Sequence, residues 1–200
     1  MIHPDTEIRQ VSHEIGCGVF AKKNIPKGTI IYIRDPLEIT LNTQQVAALD
    51  ADYREAIARY CYVDKHGNWI LSWDHSKYVN HRCDCNALCT AYGFEIAVRD
   101  IQEGEEITDE YGLFNIAEEI AIDCGCVNCR TKLRPSDIDE YYPAWDARIF
   151  SAFQHIRTVQ QPLWMFMDTE TRNATQRCIQ GDEAYRSVLE LKRQFCEKKT

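Results

Sequence analysis

The sequence predicts a mainly β domain, α+β overall, that gives way to helix in its last third. Three observations predict it. Short runs rich in β-branched and aromatic residues, punctuated by Gly and Pro, recur up to residue 99. Within that region one stretch, 42–58, changes to apolar spacings of three and four, and beyond Pro135 the pattern becomes Pro-punctuated and helical.

Taken in order, residues 19–22 read as a strand, Ile25-Pro26-Lys27-Gly28 as a turn, and 29–33 as a β-branched strand. In 42–58, Thr43 is a candidate N-cap, and Val46, Leu49, Tyr53 and Ile57 share one helical face. Residues 59–63 and 69–72 form a hairpin across the polar turn 64–68. Residues 94–99 are a further strand, ended by Gln102-Glu103-Gly104. Two helices follow, over 138–159 and 182–198, and a boundary falls near 131–135.

At 200 residues the chain can hold one domain with a sizeable core, or such a domain with a helical appendage. The most apolar short run, 163–167, is too short to span a bilayer, and the first ten residues are mixed polar, so an intracellular protein, cytoplasmic or nuclear, is expected. In that compartment ten cysteines do not suggest disulfides; the six between Cys83 and Cys129 favour a metal. The net charge of −8 argues against a grip on nucleic acid, which needs clustered Lys and Arg, and no membrane partner is expected. The acid is also local: 100–123 carries nine carboxylates and no Lys or Arg. Such a run is either solvated surface or a field that steers a cationic substrate.

Cys124-x-Cys126-x-x-Cys129 offers three soft ligands where tetrahedral zinc wants four, and Cys83 is the leading candidate for the fourth. Cys85 and Cys89 lie in the same loop as inert buried thiols, alternative ligands or members of a larger cluster. Gly16-Cys17-Gly18 read alone is a turn before a strand, or a place where backbone approaches a ligand closely.

Together these segments resemble SET-domain protein-lysine N-methyltransferases. Gly16-Cys17-Gly18-Val19-Phe20-Ala21 resembles the opening motif, Asn80-His81-Arg82-Cys83 the central one, and Gly104 to Gly112, with Tyr111, the catalytic segment. Ile96 to Ile101 resembles the strand before the Gly-Glu-Glu turn, and the three later cysteines resemble the zinc-binding post-SET segment. The resemblance covers about 15–130 and divides the chain into a SET domain (1–123), a post-SET zinc segment (124–134) and a helical C-terminal extension (135–200). It implies small twisted sheets with a pseudoknot-like crossing, S-adenosylmethionine on one face and a lysine entering a narrow channel from the other.

The resemblance further implies that Gly16, Cys17, Gly18, Val19, Asn80, His81, Tyr111 and Phe114 hold the cofactor, leaving S-adenosylhomocysteine as product. Tyr111 is the implied catalytic residue, and Cys83, Cys124, Cys126 and Cys129 would bind one structural zinc. Methyl transfer needs nitrogen, methyl and sulfur in line with water excluded, which a phenol can organise. Apolar, aromatic surroundings would also lower the pKa of the lysine. Tyr32, Tyr60, Tyr62, Tyr78 and Tyr92 are candidate channel walls. The chain departs from the pattern at Arg82, often Ser, at Cys85, usually Pro, and near Asp109, commonly apolar.

The substrate implied is a histone or another basic protein. The competing readings are a catalytically inactive SET-like, zinc-stabilised interaction module and a redox or metal-sensing protein. The later aromatics, Tyr141, Tyr142, Trp145, Phe150, Phe153, Trp164 and Phe166, either pack on the core or form a lid.

Overall fold

The computed structural model describes residues 1–193. An antiparallel pair, β1 (Thr6–Ser12) and β2 (Gly16–Ala21), is followed by β3 (Ile30–Ile33) and β4 (Ile39–Leu41). Two short helices come next, α1 (Thr43–Ala47) and α2 (Ala51–Tyr60). Then come β5 (Cys61–Val63), β6 (Trp69–Leu71), β7 (Asn80–His81), β8 (Ala87–Cys89), β9 (Phe94–Ala97) and β10 (Glu106–Asp109). The small pair β11 (Ile120–Ala121) and β12 (Lys132–Leu133) brackets the cysteine-rich segment, and α3 (Asp137–Phe153) and α4 (Thr169–Gln180) follow.

The strands form small sheets in the orders β1-β2-β10-β7, β3-β9-β8, β4-β6-β5 and β11-β12. β10 is the pivot. It runs antiparallel to β2, pairing Ile107 with Val19, and parallel to β7, pairing Thr108 with Asn80 and Asp109 with His81. That arrangement draws three distant motifs onto one sheet.

The single helix expected over 42–58 is two. Asn42, not Thr43, is the first N-cap: its side chain accepts from the Gln45 N–H, and Gln45 returns a bond to the Asn42 N–H, a reciprocal capping box. Only Ile57 of the four face residues is buried, and Tyr53 is exposed. Residues 59 and 60 finish α2 rather than open a strand, so the hairpin begins at Cys61.

The first C-terminal helix stops at Phe153, short of 159. Ile138, Trp145, Ile149, Ala152 and Phe153 on α3 share a core with Ile30, Ile33, Leu88, Phe94 and Ile96 of the β3-β9-β8 sheet, so this extension packs on the domain. The helix expected over 182–198 is replaced, as far as residue 193, by irregular chain with one 3-10 turn at Val188–Leu191; the rest of that span lies outside the described residues. The Asp146 carboxylate is the physical reason. It accepts from the Tyr185 hydroxyl, the Ser187 hydroxyl and the Val188 N–H, pinning this segment to α3. The helix forms earlier, at α4, where Asp168 caps the N-terminus through the Thr171 N–H and Gly181, at φ 80°, ends it in the left-handed region.

Candidate active site

Where β2 passes the end of β10, Gly16, Cys17 and Gly18 are paired with β1 but have no strand on their other edge among the described residues, since the β10 pairing covers only Val19 and Phe20. Asn80 stands at that open edge. Its Nδ2 donates to the Cys17 carbonyl at 3.1 Å and to Glu106 Oε1 at 2.7 Å, while its Oδ1 makes no hydrogen bond among the described residues. Gly18 is required there: a Cβ would sit 2.3 Å from Glu106 Oε1 and 2.8 Å from Val11 Cγ2. A Cβ on Gly16 would come within 3.4 Å of the Arg59 guanidinium, so a cation from α2 borders the same edge. Val19 is fully buried in the core and offers the edge only its backbone.

His81 joins this edge to Tyr111. His81 Nδ1 lies 3.2 Å from both the Tyr111 N–H and the Asp109 carbonyl, so the ring is held against the backbone at the end of β10, and Nε2 is 3.5 Å from Cys83 Sγ. Burial, assisted by the Arg130 charge, brings the His81 pKa down to about 4, so the ring is neutral at pH 7 although Glu110 Oε1 lies 3.7 Å away. The Tyr111 hydroxyl donates to the Val79 carbonyl at 2.7 Å. Burial raises the phenol pKa, with the Asp109 and Glu95 charges adding to it, and keeps the phenol protonated.

Tyr111 also links two spaces. Its ring is 5.4 Å from the His81 ring and 5.6 Å from that of Phe114, which in turn lies 5.3 Å from Tyr62. Phe114, Tyr62 and Tyr32 line a cavity of about 190 Å³, and Leu191 of the C-terminal extension touches it. Of the five tyrosines expected on a channel wall, Tyr32 and Tyr62 are here. Tyr60 packs edge-on to Tyr78, and Tyr92 packs with Phe94, Phe153 and Tyr185.

The four cysteines expected to act together do converge. Cys124 Sγ lies 3.7 Å from Cys83, 3.3 Å from Cys126 and 3.4 Å from Cys129. Tetrahedral zinc with sulfur at about 2.3 Å separates its ligands by about 3.8 Å, so the set needs only a slight expansion to hold the ion. The Arg130 and Thr131 N–H groups point at Cys83 and Cys129 sulfur, as thiolates require. Burial works against it, yet hydrogen bonds from the neighbouring cysteines bring the Cys124 thiol down to about 7. Cys85 and Cys89 lie outside the cluster: Cys85 is in the α3-packed core beside Arg148, and Cys89 touches Glu95 and Asp109.

Two contributors escaped the reading of the sequence. Glu106 was visible inside the Gly-Glu-Glu motif, but its bond to Asn80 depends on β10 lying between β2 and β7. Arg59 had no local signal at all.

Residues 16–112 match the family model for the SET domain. Among solved structures the chain is similar to the methyltransferase domain of human histone-lysine N-methyltransferase SETMAR, at 16% identity over 66% of this chain and 58% of that one, TM-score 0.46. It is also similar to KRYPTONITE, solved in complex with mCHG DNA and SAH, at 21% identity over 64% of this chain and 28% of that one, TM-score 0.45. The chain thus spans less than two thirds of the length of either, and no curated protein matches it. With the Gly16–Gly18 edge at one end of the matched segment and Tyr111 at the other, residues 16–112 are a SET domain.

Proposed function

We propose that the chain is a protein-lysine N-methyltransferase that uses S-adenosylmethionine. The observation that carries this reading is the position of Tyr111, fixed by its hydroxyl to Val79 just before the central motif, with its ring between those of His81 and Phe114. The residues present suit the cofactor. Asn80 Oδ1 and the Glu106 carboxylate would take its ammonium, the Arg59 guanidinium its carboxylate, and the Gly16-Cys17-Gly18-Val19 backbone would lie along its methionine portion. His81 would meet the adenine end, and Phe114 would close the space beyond Tyr111. When bound, the group supplies an electrophilic sulfonium methyl.

The chain's own residues do the rest. Because the Tyr111 proton is committed to Val79, the lone pairs of its oxygen are free to accept weak C–H bonds from a polarised methyl and hold it in line. Tyr32, Tyr62 and Phe114 would exclude water and steady a cationic side chain on their faces. The four cysteines would hold a structural zinc with no open position. That ion would fasten the post-SET segment to Cys83, two residues from His81. The residues before Asp123 would serve as the catalytic domain and those after 134 as its support.

Incubation of the zinc-loaded protein with a panel of histones and other lysine-rich proteins and labelled cofactor tests the reading, alongside calorimetric titration of the cofactor. Tyr111→Phe should keep cofactor affinity within about threefold yet lose at least about 100-fold in transfer rate, the scale of a catalytic group's contribution. Equal activity of the variant removes Tyr111 from catalysis. Absence of cofactor heat with folded, zinc-loaded protein favours the non-catalytic interaction module.

A further inference from the structure

The cavity beside Phe114 carries four aromatic rings in a mixed lining that also includes Arg34, Asp64, Lys65 and His66. Tyr32, Tyr62, Phe94 and Phe114 wall it, while Cys89 and Glu95 close it. Asp109 stands behind them: the Cys89 Sγ and one carboxyl oxygen each from Glu95 and Asp109 lie within 4.8 Å of one another. Cys89 donates to Glu95 Oε1 at 3.5 Å and to Asp109 Oδ2 at 3.7 Å. Glu95 is 8% exposed and Asp109 1%.

Buried carboxyls call for a cation. Among the described residues none comes within ion-pair distance of either group. Arg148, whose charge bears on Asp109, is bonded to the carbonyl and thiol of Cys85. The N-terminal ammonium, whose charge bears on Glu95, is held by the Ile33 carbonyl and Asp35. The pair therefore has no ion-pair partner among the described residues, and its Glu95 member lines a cavity with room for about six waters.

We propose that Glu95, with Asp109 behind it, receives the cationic end of the substrate amine at the end of this cavity, and that the carboxyl pair accepts its proton. The receptor follows from the cavity and the unpaired carboxyls; the proton transfer rests on the methyl-transfer reading above. An ammonium sliding along the ring faces reaches a carboxylate where the aromatic wall ends. One N–H bond of R–NH3+ breaks and its proton passes to a carboxylate oxygen of the pair, leaving R–NH2 and a carboxylic acid. The freed lone pair would then form an N–C bond to the methyl that the cofactor would supply as its C–S bond broke, the electron pair going to sulfur, giving R–NH2+–CH3, and the carboxyl pair would return its proton to water.

Burial holds both carboxyls above their ordinary range, and each also feels the other, so the two titrate as one pair that shares a proton. The groups that face Asp109 are Cys89 on β8, Glu95 on β9, His81 on β7 through the Asp109 carbonyl, Glu110 and Tyr111 beyond β10, and Arg148 on α3.

The test titrates the full, zinc-loaded chain with n-butylammonium, with 1-butanol as the neutral control, following ligand signals by NMR. Asp109→Asn and Glu95→Gln should each weaken butylammonium binding at least tenfold and leave butanol unchanged. Asp109→Asn should also melt higher, because an uncompensated buried charge has gone. Lower melting with unchanged butylammonium binding, or no saturable binding to the wild type, overturns the proposal. So does a second zinc per chain that Asp109→Asn abolishes, since the cluster would then be a metal site. On any lysine-rich polypeptide that the wild type methylates, kcat/KM of Asp109→Asn at pH 7.5 should fall about 100-fold and climb tenfold per pH unit toward the lysine pKa of about 10.4. An unaltered pH profile removes the pair as proton acceptor. Butylammonium binding without methyl transfer to any substrate would uphold the receptor and refute the enzymatic reading instead.

Discussion

Arg130 is where the cysteine-rich segment, the chain after β10 and α3 meet, and Arg130→Met isolates its charge. The side chain is 14% exposed; Nη2 donates to Glu110 Oε1 at 2.5 Å and Nη1 lies 3.3 Å from Asp137 Oδ2, both carboxylates being 1% exposed. The Asp137 contact is an ion pair without hydrogen-bond alignment, since that oxygen has no hydrogen-bond partner, so the Glu110 bond carries most of the interaction. The guanidinium also lies 4.8 Å over the Tyr141 ring. Methionine keeps a long apolar stem against Tyr141 and Trp145 and deletes only the cation. Removing one partner of a buried pair costs about 3–5 kcal/mol. At about 2–4 °C per kcal/mol for a chain of this size, melting should fall by about 6–20 °C.

The pH dependence sharpens that prediction. Burial pushes the Glu110 pKa up to about 7 even though Arg130 opposes the shift. The folded chain therefore holds a proton that the unfolded chain has released, so the stability contributed by this group is full below the unfolded carboxyl pKa and is lost as pH rises through about 7. Deleting Arg130 lifts the folded pKa further. The variant's deficit must then be smaller at pH 6 than at pH 8, because at pH 6 Glu110 is already neutral and has least need of the cation. Thermal melts of zinc-saturated wild type and variant at both pH values decide it. A loss under about 2 °C at both, or a larger loss at pH 6, would refute the reasoning.

Three further outcomes follow from the same geometry. Gly18→Ala puts a Cβ 2.3 Å from Glu106 Oε1, so Glu106 must swing away from Asn80; calorimetry should show S-adenosylmethionine bound at least tenfold more weakly with little change in melting. Gly28→Ala acts on stability alone, since φ there is +90° and the new Cβ would lie 2.6 Å from the His155 Cβ; denaturant unfolding should show a loss of about 1–3 kcal/mol. Metal analysis should find one zinc per chain, abolished by Cys83→Ser and retained in Cys85→Ser, and a chelator should lower the melting temperature of the wild type.

What could be read in advance divides along a physical line. Motifs whose chemistry is local, such as Gly16-Cys17-Gly18, the three clustered cysteines and the Gly-Glu-Glu turn, were legible because each imposes a constraint on a few neighbouring residues. The convergence of Cys83 with Cys124, Cys126 and Cys129 was foreseen from ligand count, and the fold brings these sulfurs to a spacing that suits zinc. The helices went less well for a reason visible in their residues. Residues 182–193 carry apolar spacing that would suit a helix, yet Asp146 on α3 takes the Ser187 hydroxyl and the Val188 N–H, and those bonds hold the chain out of helical geometry. The α4 sequence, Thr169–Gln180, buries only Ala174 and Thr175, so its helix rests on its caps rather than on an apolar stripe.

The departures from the family pattern obey the same division. Asp109 was noticed as a carboxylate in a commonly apolar position, but its meaning depended on β8 and β9, which bring Cys89 and Glu95 beside it. In sequence Asp109 is one more acid in a run of nine, indistinguishable from solvated surface. In the fold it is 1% exposed and has no ion-pair partner among the described residues, whereas Glu103 on the same run is exposed. The acidic field read from composition therefore holds two populations with different physics. The outer one is screened by salt and can affect only the rate of encounter. The inner pair is shielded from salt and can act on a proton, so raising ionic strength should slow association with a cationic substrate while leaving the discrimination between butylammonium and butanol in place.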